Sequence, residues 1–153
     1  MYAWFLTDPE ALADLPDPGR RPLYIGWSRD LARRLAIHMS IGGSAFSSLR
    51  RSLGALLRDD LDLAARPRGR TAQDLNYRCY RFDDEGEERL SEWMAHHLRV
   101  TMVEHPDGEQ AESDLIALAC PPLNLAGWAN PHGPAIRLLR QVCADEARLG
   151  FPR

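Results

Sequence analysis

The stretch that most constrains the fold runs from Leu23 to Met39, LYIGWSRDLARRLAIHM. It begins as a short apolar run and stops at Gly26, the pattern of a buried strand ending in a tight turn. Ser28 stands where a helix N-cap belongs, since a hydroxyl there takes up an orphan backbone N–H of the first turn. Leu31, Leu35 and Met39 then recur every four residues and predict an amphipathic helix with that stripe in the core. Asp30, Arg34 and His38 recur at the same interval on a neighbouring face. A strand-end tyrosine, Tyr24, thus faces a helix carrying arginine and histidine one turn apart, an arrangement suited to holding an anion.

The remaining segments supply partners for that strand and helix. Tyr2 to Leu6 is aromatic and apolar and reads as a first strand. Thr7 can cap a short helical piece, Pro9 to Leu15, and Asp17-Pro18-Gly19 is a turn. If the two strands pair, the segment between them is an elaborated surface connection. After Gly42-Gly43, Ser44 opens a helix from Ala45 to Arg58. Phe46, Leu49, Leu53, Leu56 and Leu57 lie on one side of it, with Arg50, Arg51 and Arg58 toward the other. Residues 59–74, which include Arg66-Pro67-Arg68-Gly69-Arg70, lack periodicity and predict a flexible basic loop.

Tyr77 to Phe82 alternates and predicts a strand. A helix from about Glu87 to Leu98 follows, carrying Leu90, Trp93, Met94 and His97 at helical spacing, with acids leading into it. Val100 to Val103 is a further short strand. A fourth helix, Gln110 to Ala119, is stopped by Pro121-Pro122, and a last one spans Ala135 to Leu149 as core closure or a dimer face. The sum is an α+β chain with a small central three-stranded, mostly antiparallel sheet flanked by helices. It is expected to be one domain, 1–153, elaborated at 8–21 and 59–98 and by the helix 135–149.

Composition bounds the function classes. No apolar run approaches the roughly 18 residues of a membrane span. The N-terminus has no basic lead and turns acidic at once, unlike a signal peptide. Cys79, Cys120 and Cys143 are odd in number and far apart, as expected of free thiols in a reducing, cytoplasmic setting. The net charge of −3 gives no global argument for nucleic acid. Its distribution does, because residues 20–70 hold eleven arginines against four acids. A GC-rich genome explains why arginine replaces lysine throughout, but not the clustering. Arg33, Arg50, Arg51, Arg66, Arg68 and Arg70 are the candidate phosphate-backbone contacts.

Two further residues carry chemistry. Glu112 shares a helix face with Leu115, Ile116 and Ala119, so a carboxylate heads an apolar stripe. It either complements the helix N-terminus or serves a site. Asn124, after Pro121-Pro122-Leu123, is either a turn residue bonding its own backbone or an orienting group. His96 and His97 point about 100° apart on a helix and, with His105, are expected at the surface or boundary rather than in a metal site. Trp93 and Met94 are expected in the core. Trp128 either stacks on a base or packs under the last helix.

Tyr24-Ile25-Gly26, with Arg34 ten residues after the tyrosine and His38 four further on, resembles the second half of the GIY-YIG nuclease motif. Glu112 followed twelve residues later by Asn124 in a Pro-Leu-Asn segment resembles the distal part of that family's pattern. Taking Met1-Tyr2-Ala3-Trp4 as the counterpart of Ile-Tyr-x-Phe puts Tyr2 in the first tyrosine position; a shift by two would put Trp4 there, which has no hydroxyl. Trp27 stands where repair-type members often have lysine. The resemblance implies layered α/β/α architecture and a metal-dependent DNA endonuclease. Its implied catalytic set is Tyr2, Tyr24, Arg34, His38, Glu112 and Asn124, with Mg2+ or Mn2+ on Glu112. Tyr2 or Tyr24 would accept a proton from the attacking water, and Arg34 would hold the scissile phosphate. His38 would bond phosphate or tyrosine or carry protons, and Asn124 would orient a tyrosine or Glu112. A homodimer is one route to cutting both strands. The competing readings are a nucleic-acid-binding module that kept the fold without activity, and a protein-binding adaptor using the acidic residues 71–115. The intact carboxylate favours the enzyme.

Overall fold

The computed structural model describes residues 1–12, 15, 21–69, 71 and 73–150. The expected turn at Asp17-Pro18-Gly19 and the candidate Arg70 lie outside them. The chain divides into two compact units, each assembled from two stretches of sequence. One takes Met1–Leu35 and Trp93–Gly133; the other takes Ala36–Glu92 and the segment from Pro134 onward.

The first unit is built on a three-stranded antiparallel sheet of β1 (Tyr2–Leu6), β2 (Tyr24–Gly26) and β5 (Leu98–Met102), in the order β2-β1-β5. Tyr2 pairs with Gly26 and Trp4 with Tyr24, so these four residues share one face of the hairpin. Tyr2, Trp4 and Leu6 are all buried, the alternation expected of a half-buried strand. Pro9–Leu12 forms only a short 3-10 turn after β1. Helix α4 (Gly108–Ala119) packs against β2 and buries Ile116, while Leu115 and Leu118 are exposed. Its end is set by Cys120, whose left-handed backbone breaks the helical run.

The second unit holds α2 (Ser48–Leu56), a two-stranded antiparallel sheet of β3 (Ala65–Arg68) and β4 (Asn76–Phe82), and α5 (Gly133–Leu149), which starts at the unit boundary. Its core gathers Leu49, Leu53, Tyr80, Phe82, Leu90, Ile136, Cys143 and Ala147. The Phe82 ring lies directly on Gly54, where a β-carbon would collide with it. The basic stretch expected as a flexible loop is therefore partly strand. Pro67, which cannot donate a ladder hydrogen bond, sits in β3 at a register shift between Arg66 and Arg68, a place a sheet tolerates proline.

Helix α1 (Leu31–Met39) runs from the first unit into the second, as does α3 (Asp84–His97) in the reverse direction. Two expectations for α1 are corrected. Its cap is Asp30, whose carboxylate accepts from Arg33 N at 2.9 Å, while Ser28 Oγ instead accepts from Asp30 N. Its buried face is not Leu31, Leu35 and Met39: Met39 is 63 % exposed and His38 is fully enclosed. In α2 the cap is Ser47, accepting from Arg50 N, and Phe46 stands exposed ahead of the helix rather than inside it.

Candidate active site

The first unit brings together five of the six residues singled out for catalysis, and the hairpin explains how. Because Tyr2 and Gly26 are direct cross-strand partners on one face, the phenol ring of Tyr2 can lie across the glycine. A β-carbon at residue 26 would land on the Tyr2 hydroxyl and its ring carbon, so only glycine lets the ring take this path. The Tyr24 ring sits beside it, centroids 6.3 Å apart and tilted by 31°. Arg34, one turn into α1, donates from Nε to the Tyr2 hydroxyl at 3.2 Å and also bonds the Tyr24 hydroxyl.

Charge and burial set the state of each group. Tyr2 is almost completely enclosed, and its pKa is pushed up to about 12 by burial and by Tyr24, with Arg34 pulling the other way. It is a neutral phenol at physiological pH. Burial alone would lower Arg34, but its bonds to Tyr2 and Tyr24 outweigh that and raise it. Tyr24 is half-buried and thus the more accessible of the two hydroxyls.

Glu112, in the second turn of α4, is half-buried and accepts the Trp27 backbone N–H on Oε1 at 3.0 Å. That N–H belongs to the residue following β2, so the loop leaving the hairpin fixes the carboxylate. Trp27 is tied down in turn, because its indole lies on Gly108 at the start of α4, where a β-carbon would strike it. Sequence reading assigned Trp27 no role. The one signal it offered is the glycine of Pro106-Asp107-Gly108, whose missing side chain leaves room for an indole. Burial pushes the Glu112 carboxyl up, a rise partly offset by the Trp27 N–H and by the charge of Arg34.

Asn124 is bonded not to a tyrosine or to Glu112 but to the backbone of β2. Its Oδ1 accepts Ile25 N at 2.8 Å and its Nδ2 donates to Ile25 O at 2.9 Å. The amide thereby holds the strand that carries Tyr24 at one end and Trp27 just beyond the other. Its own segment is pinned by Asn130 Nδ2 and Trp128 Nε1, both donating to Asn124 O. Trp128 therefore braces this loop.

His38 belongs to the second unit, wholly buried, with Nδ1 2.7 Å from Ser47 Oγ, the hydroxyl that caps α2. The arginines separate into three kinds. Arg33 is exposed, as expected of a backbone contact. Arg50 corrects the expectation of a surface residue. It is fully buried and pairs with Glu87 at 2.6 Å, further satisfied by Ser44, Ser91 and the carbonyls of His38 and Glu87. A guanidinium enclosed and already paired with a carboxylate is not a nucleic-acid contact. Arg51 is also buried, contrary to expectation, while Arg66 and Arg68 are half-buried on β3, Arg66 facing Asp83 at 3.7 Å.

Among the described residues no cluster of three His, Cys, Asp or Glu side chains forms a ready-made metal cage. Glu112 suits a different kind of binding. The Trp27 N–H takes one carboxylate oxygen and leaves the other to a hard cation such as Mg2+, which binds by one or two carboxylates plus waters and substrate phosphate.

A family model described as the GIY-YIG catalytic domain matches residues 1–142 of the chain. No curated protein and no solved structure matches it.

Proposed function

Because the chain belongs to the GIY-YIG catalytic-domain family, whose activity is of the nuclease type, we propose that it is a DNA endonuclease hydrolysing phosphodiester bonds at the Tyr2–Tyr24–Arg34–Glu112 site. The observation that carries this reading is the Arg34 guanidinium held between two tyrosine hydroxyls, with the Glu112 carboxylate acting on the same groups. A guanidinium positioned by the neutral Tyr2 phenol keeps its charge for a phosphate, where it offers paired donors to the non-bridging oxygens. As negative charge grows on those oxygens in the transition state, the fixed donors stabilise it without reorganising.

The two tyrosines divide the work. Tyr2, neutral and buried, orients Arg34. Tyr24, half-buried beside the same cation, takes the proton of the water that attacks phosphorus as the P–O bond to the leaving oxygen breaks. Asn124 acts at one remove, by fixing β2. A divalent cation on Glu112 would neutralise charge on the phosphate and the leaving oxygen. His38 is bonded to the hydroxyl that caps α2 and is not assigned the role of proton carrier. Three free, scattered cysteines support a cytoplasmic setting for this activity.

The test is incubation with supercoiled plasmid in magnesium against chelator, scored for nicked and linear product. Magnesium-dependent cutting lost in both Arg34→Ala and Glu112→Ala is the expected result. Equal cutting by either variant, or retarded but uncut DNA with the parent protein, overturns the assignment.

A further inference from the structure

The second unit contains a buried cation that the site above does not use. Arg51 is 91 % enclosed by its 9 % exposure, and its NH1 donates to Ser44 O at 2.7 Å. Its Nε lies buried without an acceptor among the described residues. A buried, unsatisfied donor on a charged group is uncommon enough to require a missing partner.

Two more arginines lie near enough for their charges to act on it. Arg68, on β3, places its guanidinium 5.3 Å from the centroid of the Phe46 ring, two residues from the Ser44 carbonyl that holds Arg51. Arg140 lies on α5 one turn before Cys143, whose thiol meets the Tyr80 hydroxyl, and that same hydroxyl donates to Arg51 O at 3.2 Å. Arg140 and Arg68 are half-buried, so the cluster reaches the surface, and Phe46 beside it is 59 % exposed. Among the described residues none of the three arginines has a carboxylate in salt-bridge range, in contrast to Arg50 and Arg58 of the same unit, which have Glu87 and Glu146. The cluster carries its own electrostatic cost: burial, then the charge of Arg140, pulls Arg51 below the usual guanidinium value.

We propose that Arg51, Arg68 and Arg140 hold a backbone phosphate of a nucleic-acid strand, with the exposed Phe46 ring offering its neighbouring base a stacking surface. Three guanidiniums without a counter-ion ask for an anion with several oxygens, and the aromatic beside them distinguishes a nucleotide strand from a bare ion. Naming the anion as nucleic acid rests on the nuclease reading; the anion site itself rests on the unpaired arginines. It places a strand contact in the second unit, using residues that the catalytic chemistry leaves free.

The experiment uses the full chain carrying Arg34→Ala, so that binding is read without cutting. Affinity for a fluorescent single-stranded oligonucleotide is measured by anisotropy across a salt series, for this protein and for the same protein with R68Q and R140Q. Both changes are half-exposed and spare the enclosed Arg51. The expected result is affinity weakened at least about tenfold for each arginine lost. The slope of log affinity against log salt should fall by about 0.7, the value for a single phosphate contact on a single strand. Thermal midpoints in inorganic phosphate form the second arm. A midpoint raised by phosphate in the parent but not in R68Q/R140Q, with oligonucleotide binding unchanged, overturns the strand and leaves a small-anion site. Unchanged affinity, slope and phosphate response overturns the proposal altogether. Loss of oligonucleotide binding in R68Q/R140Q, in a protein whose wild-type form never nicks plasmid, would sink the nuclease reading while upholding this one.

Discussion

Replacing Arg50 with methionine removes a guanidinium from a site that offers it five bonds. Its side chain donates to Ser44 Oγ at 3.3 Å, His38 O at 3.2 Å, Glu87 O at 3.2 Å, Glu87 Oε2 at 2.6 Å and Ser91 Oγ at 3.0 Å. Both partners of the ion pair are fully buried. The variant leaves Glu87 as an enclosed carboxylate supported by the Ser44 hydroxyl and the Phe82 N–H alone. Breaking one half of a buried pair costs about 3–5 kcal/mol. At about 2–4 °C per kcal/mol for a chain of this length, the midpoint should fall by roughly 6–20 °C. The double variant Arg50→Met, Glu87→Leu removes both charges and should recover much of the loss, because the penalty lies in the orphaned carboxylate rather than in the missing attraction. Urea titration of the parent, both single variants and the double closes the cycle. A single variant losing less than about 1 kcal/mol, or a double variant as unstable as the worse single one, would refute the claim that this arginine is structural.

Four other outcomes are expected. Tyr2 holds its proton more tightly in the folded state, at about 12 against 10.0, so its contribution is complete below pH 10 and disappears as pH rises toward 12. At about 1.36 kcal/mol per unit the change is at most about 2.7 kcal/mol, and Tyr2→Phe should show that much less alkaline loss in denaturant titrations. Gly26→Ala drives a methyl into the Tyr2 hydroxyl, so cutting should fall sharply for a stability cost of about 1–3 kcal/mol, measured by plasmid assay beside thermal melting. Asn124→Ala strands the Ile25 N–H and C=O at about 1–3 kcal/mol each; Asn124→Asp, which keeps an acceptor for the N–H, should be the milder by the same melt. Cutting should need more magnesium as pH drops, starting above the ordinary carboxylate range because Glu112 is raised, and a magnesium titration at several pH values that shows no such trend contradicts its role as ligand.

Strands and the two C-terminal helices were legible because their burial follows period: Tyr2–Leu6 alternates, and α4 and α5 begin and end within two residues of where apolar spacing and proline place them. The order of tyrosine, arginine, glutamate and asparagine was legible for a different reason, since spacing to a known motif does not depend on local propensity. What failed was the sidedness of helices bearing charge. On α1 the aliphatic stripe pointed one way, yet Arg34 and His38 turn inward because Tyr2 and Ser47, residues outside the helix, supply them with partners. Arg50 misled in the same manner, since Glu87 lies 37 residues away and nothing near residue 50 announces it. β3 was missed because Pro67 and Gly69 are turn residues by habit, while a two-stranded sheet tolerates the one ladder bond that Pro67 cannot make.

The Asn124 amide presents to β2 what an additional strand would present, one acceptor and one donor, both directed at Ile25. A three-residue strand has little else to offer outward, so this side chain, with the Leu123 N–H on Leu23 O and Glu112 on the Trp27 N–H, finishes the sheet along that margin. No foreign chain can extend the pleat past Tyr24 without first evicting it, and the β2 edge is thereby insulated from the strand-swapping and fibril growth to which bare margins are prone.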